Sequence, residues 1–211
     1  MSRRRAPPAT PDDRFESAAH TAGARRIAGV DEVGRGPLAG PVTAAAVVLD
    51  FARLPEGLKD SKQLSARKRE AIAIDIHSSA DVSIAHIGVD EIERLNILGA
   101  AHLAMLTALS GLRQPADYAL IDGKYPPKGL NIPHQLVVKG DAKVLSIAAA
   151  SIVAKVARDA VMTNLATQHP GYGWETNAGY PTPAHKVALE TLGVTPHHRR
   201  SFRPVHNILI K

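Results

Sequence analysis

Ile27-Ala-Gly-Val-Asp-Glu-Val-Gly-Arg-Gly-Pro-Leu-Ala-Gly40 sets an apolar, strand-like run against two adjacent acids, Asp31 and Glu32, and then a glycine-rich turn. Carboxylates at the end of such a run, beside glycines, make a place where a cation and a ligand oxygen can approach the backbone. Glycine puts no Cβ in the way and leaves main-chain N–H groups accessible. Taken alone, the stretch also fits a solvated acidic turn after a core strand. A second valine-rich run over 43–49 follows, and the glycines at 34 and 40 allow a hairpin-like return between the two.

Further out, the pattern predicts a helix over 64–78 with Ser65 as N-cap and Ile72 and Ile76 on one face. It predicts a strand over 82–89 and a helix over 97–109 with Leu98, His102, Met105 and Leu109 along one side. Short strands follow at 118–121 and 134–139. A long helix over 144–168 is alanine-rich at its start, so another backbone can pack close to it. The remainder is rich in Pro, Gly and His, with one helix over 183–192. This order, strands first and then strands alternating with helices, implies a mixed α/β fold.

Three acidic positions share one local design, an apolar strand ending in a carboxylate beside glycine: Asp31-Glu32, Asp122-Gly123 and Gly140-Asp141. Strand ends gathered at one sheet edge can bring them together. Each has a plainer reading. Asp-Gly is a common turn pair, Asp141 stands where the following helix wants an N-cap, and Asp31 and Glu32 point to opposite faces of a regular strand. An all-oxygen cluster selects hard cations, Mg²⁺ or Mn²⁺, and two such ions suit in-line displacement at phosphorus. The glycine-rich run lacks the Gly-Lys-Ser/Thr ending of a phosphate loop, and neither His-Glu-x-x-His nor Gly-x-Ser-x-Gly occurs. His197-His198-Arg199-Arg200 fits a basic surface better than a metal site.

With 211 residues, the chain is one domain, or one domain with an appendage. It holds no cysteine, which excludes disulfides, zinc–thiolate centres and thiol nucleophiles and fits a reducing, cytoplasmic setting. No apolar run reaches the roughly 18–20 residues of a membrane span, and the basic start is not followed by the apolar stretch of a secretory leader. The net charge of +6 sits at the two ends, leaving the middle near neutral. Basic ends around an acidic centre suit a polyanionic partner. The Pro-, Ala- and Arg-rich residues 1–24 have the composition of a disordered arm, and the domain proper runs from 25 to 211.

Together these blocks resemble the ribonuclease HII family. The resemblance runs from about residue 25 to the C-terminus, through Gly29–Gly40, Leu58-Lys-Asp-Ser-Lys62, Ile121-Asp-Gly123, Lys139-Gly-Asp141 and the 146–155 segment. It continues through His169-Pro-Gly-Tyr-Gly-Trp174, Gly179-Tyr-Pro-Thr182 and His198-Arg-Arg-Ser-Phe202. One such block is weak; so many in order are specific. The resemblance implies a ribonuclease H-like mixed β-sheet flanked by helices, with a helical C-terminal part over about 170–211. It implies metal ligands at Asp31, Glu32, Asp122 and Asp141 for two Mg²⁺ or Mn²⁺ ions. It implies a Gly34-Arg35-Gly36 backbone that, with Tyr180, reads the 2′-OH separating RNA from DNA. Without the family, Tyr180 has a plainer reading too, as a loop aromatic covering the core edge.

The implied activity is cleavage of RNA–DNA hybrids and of single ribonucleotides in duplex DNA, 5′ to the ribonucleotide, leaving 3′-OH and 5′-phosphate ends, by a monomer. Lys62 and the Arg199-Arg200 pair are candidates for phosphate contact. Two alternatives are another two-metal phosphodiesterase acting on DNA and a hybrid-binding module without cleavage. The chain departs from the family pattern at Val33, usually alanine, and at Ala178, often lysine.

Overall fold

A computed structural model describes residues 10–58, 61 and 64–210. Lys62 lies outside the described residues, as do residues 1–9 of the expected arm. Five strands form one sheet in the order β3-β2-β1-β4-β5. The opening motif is β1 (Ile27–Val33), and the hairpin-like return makes β2 (Val42–Val48) its antiparallel neighbour, Gly29 opposite Val47 and Val33 opposite Thr43. β3 (Asp81–Ile87) extends that meander, while β4 (Tyr118–Asp122) and β5 (His134–Val137) run parallel to β1 on its other side.

The pleat divides the core in two. Ala45 and Val47 of β2 join a cluster with α2 (Ala66–Ser79) and α4 (Leu145–Gln168), whereas Ala44 and Ala46 face α3 (Val89–Ser110) on the other side. α4 comes very close to the sheet. A Cβ at Gly29 would lie 2.2 Å from the Ser146 carbonyl carbon, so glycine on β1 and the small residues at the start of α4 are matched to one another. The C-terminal part is helical, with α5 (Trp174–Asn177), α6 (Pro183–Leu192) and α7 (Arg203–Leu209).

Ser65 caps α2 as expected, accepting from the Lys68 amide at 3.4 Å. The helix expected from 97 is the second half of α3. Asn96 breaks the helix at φ 59° and its Oδ1 accepts from Leu98 N and Gly99 N, so it caps that second half. The expected apolar face of α3 is rotated: Ala101, Ala104, Met105 and Ala108 are buried on the sheet, while Leu98 is 43% exposed. Close packing selects the alanines, not the largest side chains.

The reading of 1–24 as a disordered arm does not hold for its described second half. Residues Arg14–Thr21 form α1, with Glu16 and Ala19 buried. Phe15 and Ala19 pack on Ile27, Leu120 and Ile147. Val144 stands at the N-cap of α4 and offers no side-chain cap. Glu16 supplies one from α1: its Oε1 accepts from Ser146 N at 2.8 Å and Ser146 Oγ at 2.7 Å. Alanine-rich composition hid an eight-residue helix held by tertiary contacts.

Candidate active site

Three parallel strands point the same way, and each delivers an acid at its C-terminal end. The β1–β4 ladder ends at Val30 opposite Ile121, so Asp31 and Asp122 are the next residues on adjacent strands. Past β5, Lys139 adopts a left-handed conformation (φ 57°) and turns the chain into a single 3₁₀ turn, Gly140–Ala142, that carries the buried Asp141. Asp141 is therefore not the cap of α4; that expectation fails because the 3₁₀ turn intervenes and Val144 takes the cap position. The Gly140 amide donates to Asp122 Oδ1 at 2.7 Å, tying the two acidic turns together.

Asp31 lies on the α4 side of the sheet and Glu32 on the α3 side, as adjacent strand residues must. Both still reach one cleft because no β4 residue pairs with this part of β1. Asp31, Glu32, Asp122, Ser151 and Tyr180 line a cavity of about 300 Å³. Glu32, Asp122 and Asp141 border a neighbouring one of about 470 Å³, walled by Arg35, His102 and Lys139. All four acids thus meet at the junction of two depressions, the switch point between antiparallel and parallel pairing where open α/β sheets bind ligands.

The electrostatics are those of crowded anions. Burial holds the Asp31 carboxyl well above the ordinary carboxylate range, and the negative charges of Glu32, Asp122 and Asp141 add to it, against a hydrogen bond from Ser151. Ser151 Oγ in turn lies 3.0 Å from Ser61 Oγ. Glu32 is also raised by burial, opposed by Arg35, whose NH1 lies 3.2 Å from Glu32 Oε1. Glu32 Oε2 is buried without a hydrogen-bond partner among the described residues. Four carboxylates around an orphaned buried oxygen fit a hard divalent cation. Among the described residues, no group of three or more such side chains has the geometry of a formed ion cage.

Beside the acids, the Gly34–Pro41 loop is held from beneath by two buried arginines. Arg158 on α4 donates to the carbonyls of Pro41, Ala39 and Ala178. Arg199 donates to Gly34 O at 2.6 Å, Arg35 O at 3.0 Å and Gly40 O. Gly34 is required twice over: its φ is +90°, and a Cβ there would meet Arg158 Nε at 2.2 Å. The expected basic surface at 197–200 is thereby corrected. His198 and Arg199 are 0% exposed, and Arg200 alone of the arginine pair faces outward. A run of cations does not reveal in sequence that carbonyls, not solvent, satisfy one of them.

Tyr180 stands over this loop, 39% exposed, its ring 3.6 Å from where a Gly36 Cβ would be. It lines the acidic cleft and is not packed away at the core edge. Its backbone is fixed by a histidine pair that no motif singles out. The Thr195 amide donates to His198 Nδ1, which puts the His198 proton on Nε2. That proton faces His185 Nε2 at 3.2 Å, so His185 carries its own on Nδ1, 2.9 Å from Tyr180 O. The chain works only with both rings neutral, and burial beside His185 pushes His198 down to about 3.

Of the two departures from the family pattern, Ala178 sits at φ 48° and gives its carbonyl to Arg158, while Val33 packs on the α2–α4 cluster and borders the cleft.

Residues 28–205 match the family model for ribonuclease HII. The chain belongs to the ribonuclease HII family. It is 62% identical over 201 residues to ribonuclease HII of Paracoccus denitrificans, covering 95% of this chain and 96% of that one. Its structure resembles ribonuclease H2 from Pyrococcus horikoshii, with a TM-score of 0.73 at 27% identity over 87% of this chain and 97% of that one. Bst-RNase HIII in complex with Mn²⁺ shares the fold, with a TM-score of 0.66 at 20% identity over 92% of this chain and 72% of that one. The ribonuclease H-like mixed sheet expected from sequence is thus the observed one. Family membership makes the chain an endoribonuclease that acts on RNA–DNA hybrids and depends on a divalent metal. No helix among the described residues is long and apolar enough to cross a membrane.

Proposed function

We propose that the chain cuts the RNA strand of RNA–DNA hybrids and duplex DNA carrying a single ribonucleotide, 5′ to that ribonucleotide, leaving 3′-OH and 5′-phosphate ends. The observation that carries this reading is the convergence of Asp31, Glu32, Asp122 and Asp141 beside an exposed Arg35-Gly36 backbone and the Tyr180 ring. These four acids are the groups that would hold two Mg²⁺ or Mn²⁺ ions. Such ions, when bound, would supply an activated water and neutralise charge building up at phosphorus.

The protein's own groups do the rest. Ser151 orients Asp31 by its hydrogen bond, and the Gly140 amide orients Asp122, so the carboxylates are set in advance. Arg35, held at Glu32, presents positive charge toward the cleft. The loop amides and the Tyr180 ring recognise a 2′-OH and the neighbouring sugar. On this reading the 2′-OH is a recognition handle and not the nucleophile, so no cyclic phosphate forms. Plain duplex DNA offers nothing for these groups to read, which disfavours a DNA-only phosphodiesterase. The complete set of acids disfavours a module that only binds. The chain works as a monomer, in the cytoplasm where DNA is copied.

Incubation with an end-labelled RNA–DNA hybrid and a sequence-matched DNA duplex, with Mg²⁺, with Mn²⁺ and with chelator, tests the assignment. Metal-dependent cutting of the hybrid alone is expected. Equal cutting of both duplexes, or undiminished cutting in chelator, overturns it.

A further inference from the structure

We propose that buried Arg199 is a positioning residue that aims the Arg35 and Gly36 amides at the substrate. The inference rests on the proposed reading of the site and deepens it. The Arg199 fork holds Gly34 O at 2.6 Å and Arg35 O at 3.0 Å. No cis peptide occurs among the described residues. In a planar trans peptide, the C=O of one residue and the N–H of the next point in opposite directions. Pulling the Gly34 and Arg35 carbonyls inward therefore turns the Arg35 and Gly36 N–H groups outward, side by side.

Three further observations agree. Arg35 and Gly36 are exposed although the loop on either side is buried. Neither amide donates to any acceptor among the described residues. The open side of Gly36 faces the Tyr180 ring. No ion pair within 4.0 Å involves Arg199 among the described residues, and the Glu93 carboxylate acts on it only from farther away, so its charge is directed mainly at the carbonyls it holds and polarises these two peptides. Two convergent, outward, polarised donors form a nest for one oxygen, and a ribose 2′-OH beside Tyr180 is an oxygen of that kind. Lysine would keep the charge but not the fork that grips several carbonyls at once.

The test compares wild type with Arg199→Lys on duplexes identical except for one 2′-OH. Cleavage of the ribonucleotide duplex and affinity for the all-DNA duplex are both measured, with melting followed by circular dichroism. Loss of the aimed donors lowers kcat/KM at the ribonucleotide by about tenfold or more, the worth of one to two hydrogen bonds, while affinity for plain duplex stays within about twofold. A variant that folds but loses both in equal proportion, or keeps full discrimination, overturns the proposal.

Should the variant not fold, the wild-type chain still decides. In ¹⁵N-labelled protein with chelator, the Arg35 and Gly36 amide resonances are expected to move with the ribonucleotide duplex and not with its all-DNA match. Equal response to both duplexes overturns the proposal. Failure of wild type to cut the ribonucleotide duplex in Mg²⁺ or Mn²⁺ is a different outcome, and it refutes the underlying function.

Discussion

Replacing Glu16 by alanine removes the tertiary cap of α4. Its carboxylate meets two donors on one residue, Ser146 N at 2.8 Å and Ser146 Oγ at 2.7 Å, and Ser146 is 1% exposed, so water cannot substitute for it. Hydrogen bonds to a charged acceptor contribute about 1.5–3 kcal/mol each. Against this stands the desolvation of a carboxylate whose Oε2 has no partner among the described residues. The net loss is expected near the upper end of measured cap deletions, about 2 kcal/mol. In a chain of this size that lowers the melting temperature by roughly 4–8 °C. Glu16→Gln keeps the Oε1 acceptor and is expected to lose about half as much.

Urea titrations of the three proteins, with melting curves as a second probe, measure the differences. pH adds a signature. Burial raises the folded Glu16 pKa above 4.5, so protonation favours the folded state. Wild type therefore gains on Glu16→Gln as pH falls through the folded value toward about 4.5. A Glu16→Ala protein within about 0.5 kcal/mol of wild type would refute the capping role, and with it the expectation that a chain lacking residues 1–20 is less stable still.

The remaining predictions concern the site. Asp31→Asn, Asp122→Asn and Asp141→Asn each lower cleavage by about 10³-fold or more, while Asp31→Asn stabilises the metal-free chain by about 1–2 kcal/mol through relief of crowded, desolvated charge; near-normal turnover of any one of them in ordinary Mg²⁺ contradicts its assignment. Tyr180→Ala lowers kcat/KM at a single ribonucleotide by about tenfold, through loss of a packing surface for the neighbouring sugar. Tyr180→Phe keeps the ring and costs less, and parity between the two variants argues against packing. His198 is neutral when folded, with its pKa depressed from 6.5 to about 3, so its contribution is present above about 6.5 and drains away as pH falls. Urea stability of wild type should decline below that pH by up to about 1.4 kcal/mol per unit, and His198→Gln should flatten the decline.

Much of this was legible in sequence because it is local. The run into Asp31-Glu32, the glycine return to β2 and the Ser65 cap each depend on neighbours within a few residues. The acids could be listed from sequence, since three copies of one strand-end design recur, but what gathers them is the parallel order β1-β4-β5, a long-range property. Asp141 shows the limit: as a string it fits a cap, and only the left-handed Lys139 turn moves it into the site. Tertiary satisfaction is also what hid Glu16, Arg199 and His198. Each is an ionisable residue in a polar stretch; Glu16 and Arg199 are buried because partners more than a hundred residues away supply the missing bonds, and His198 because the C-terminal fold sets it between Thr195 and His185. No periodicity signals a glutamate that caps a helix 130 residues away.

Mapping the products from a DNA duplex with one ribonucleotide, labelled at each end in turn and resolved by gel and mass, is the most direct measurement. A single metal-dependent cut on the 5′ side of the ribonucleotide, leaving a 3′-hydroxyl and a 5′-phosphate, is the result expected if the 2′-OH is read by the loop and spared by the chemistry. A 2′,3′-cyclic phosphate end would mean that the 2′-OH attacks, and equal cutting of the all-DNA control would mean that it is not read; either contradicts the function assigned here.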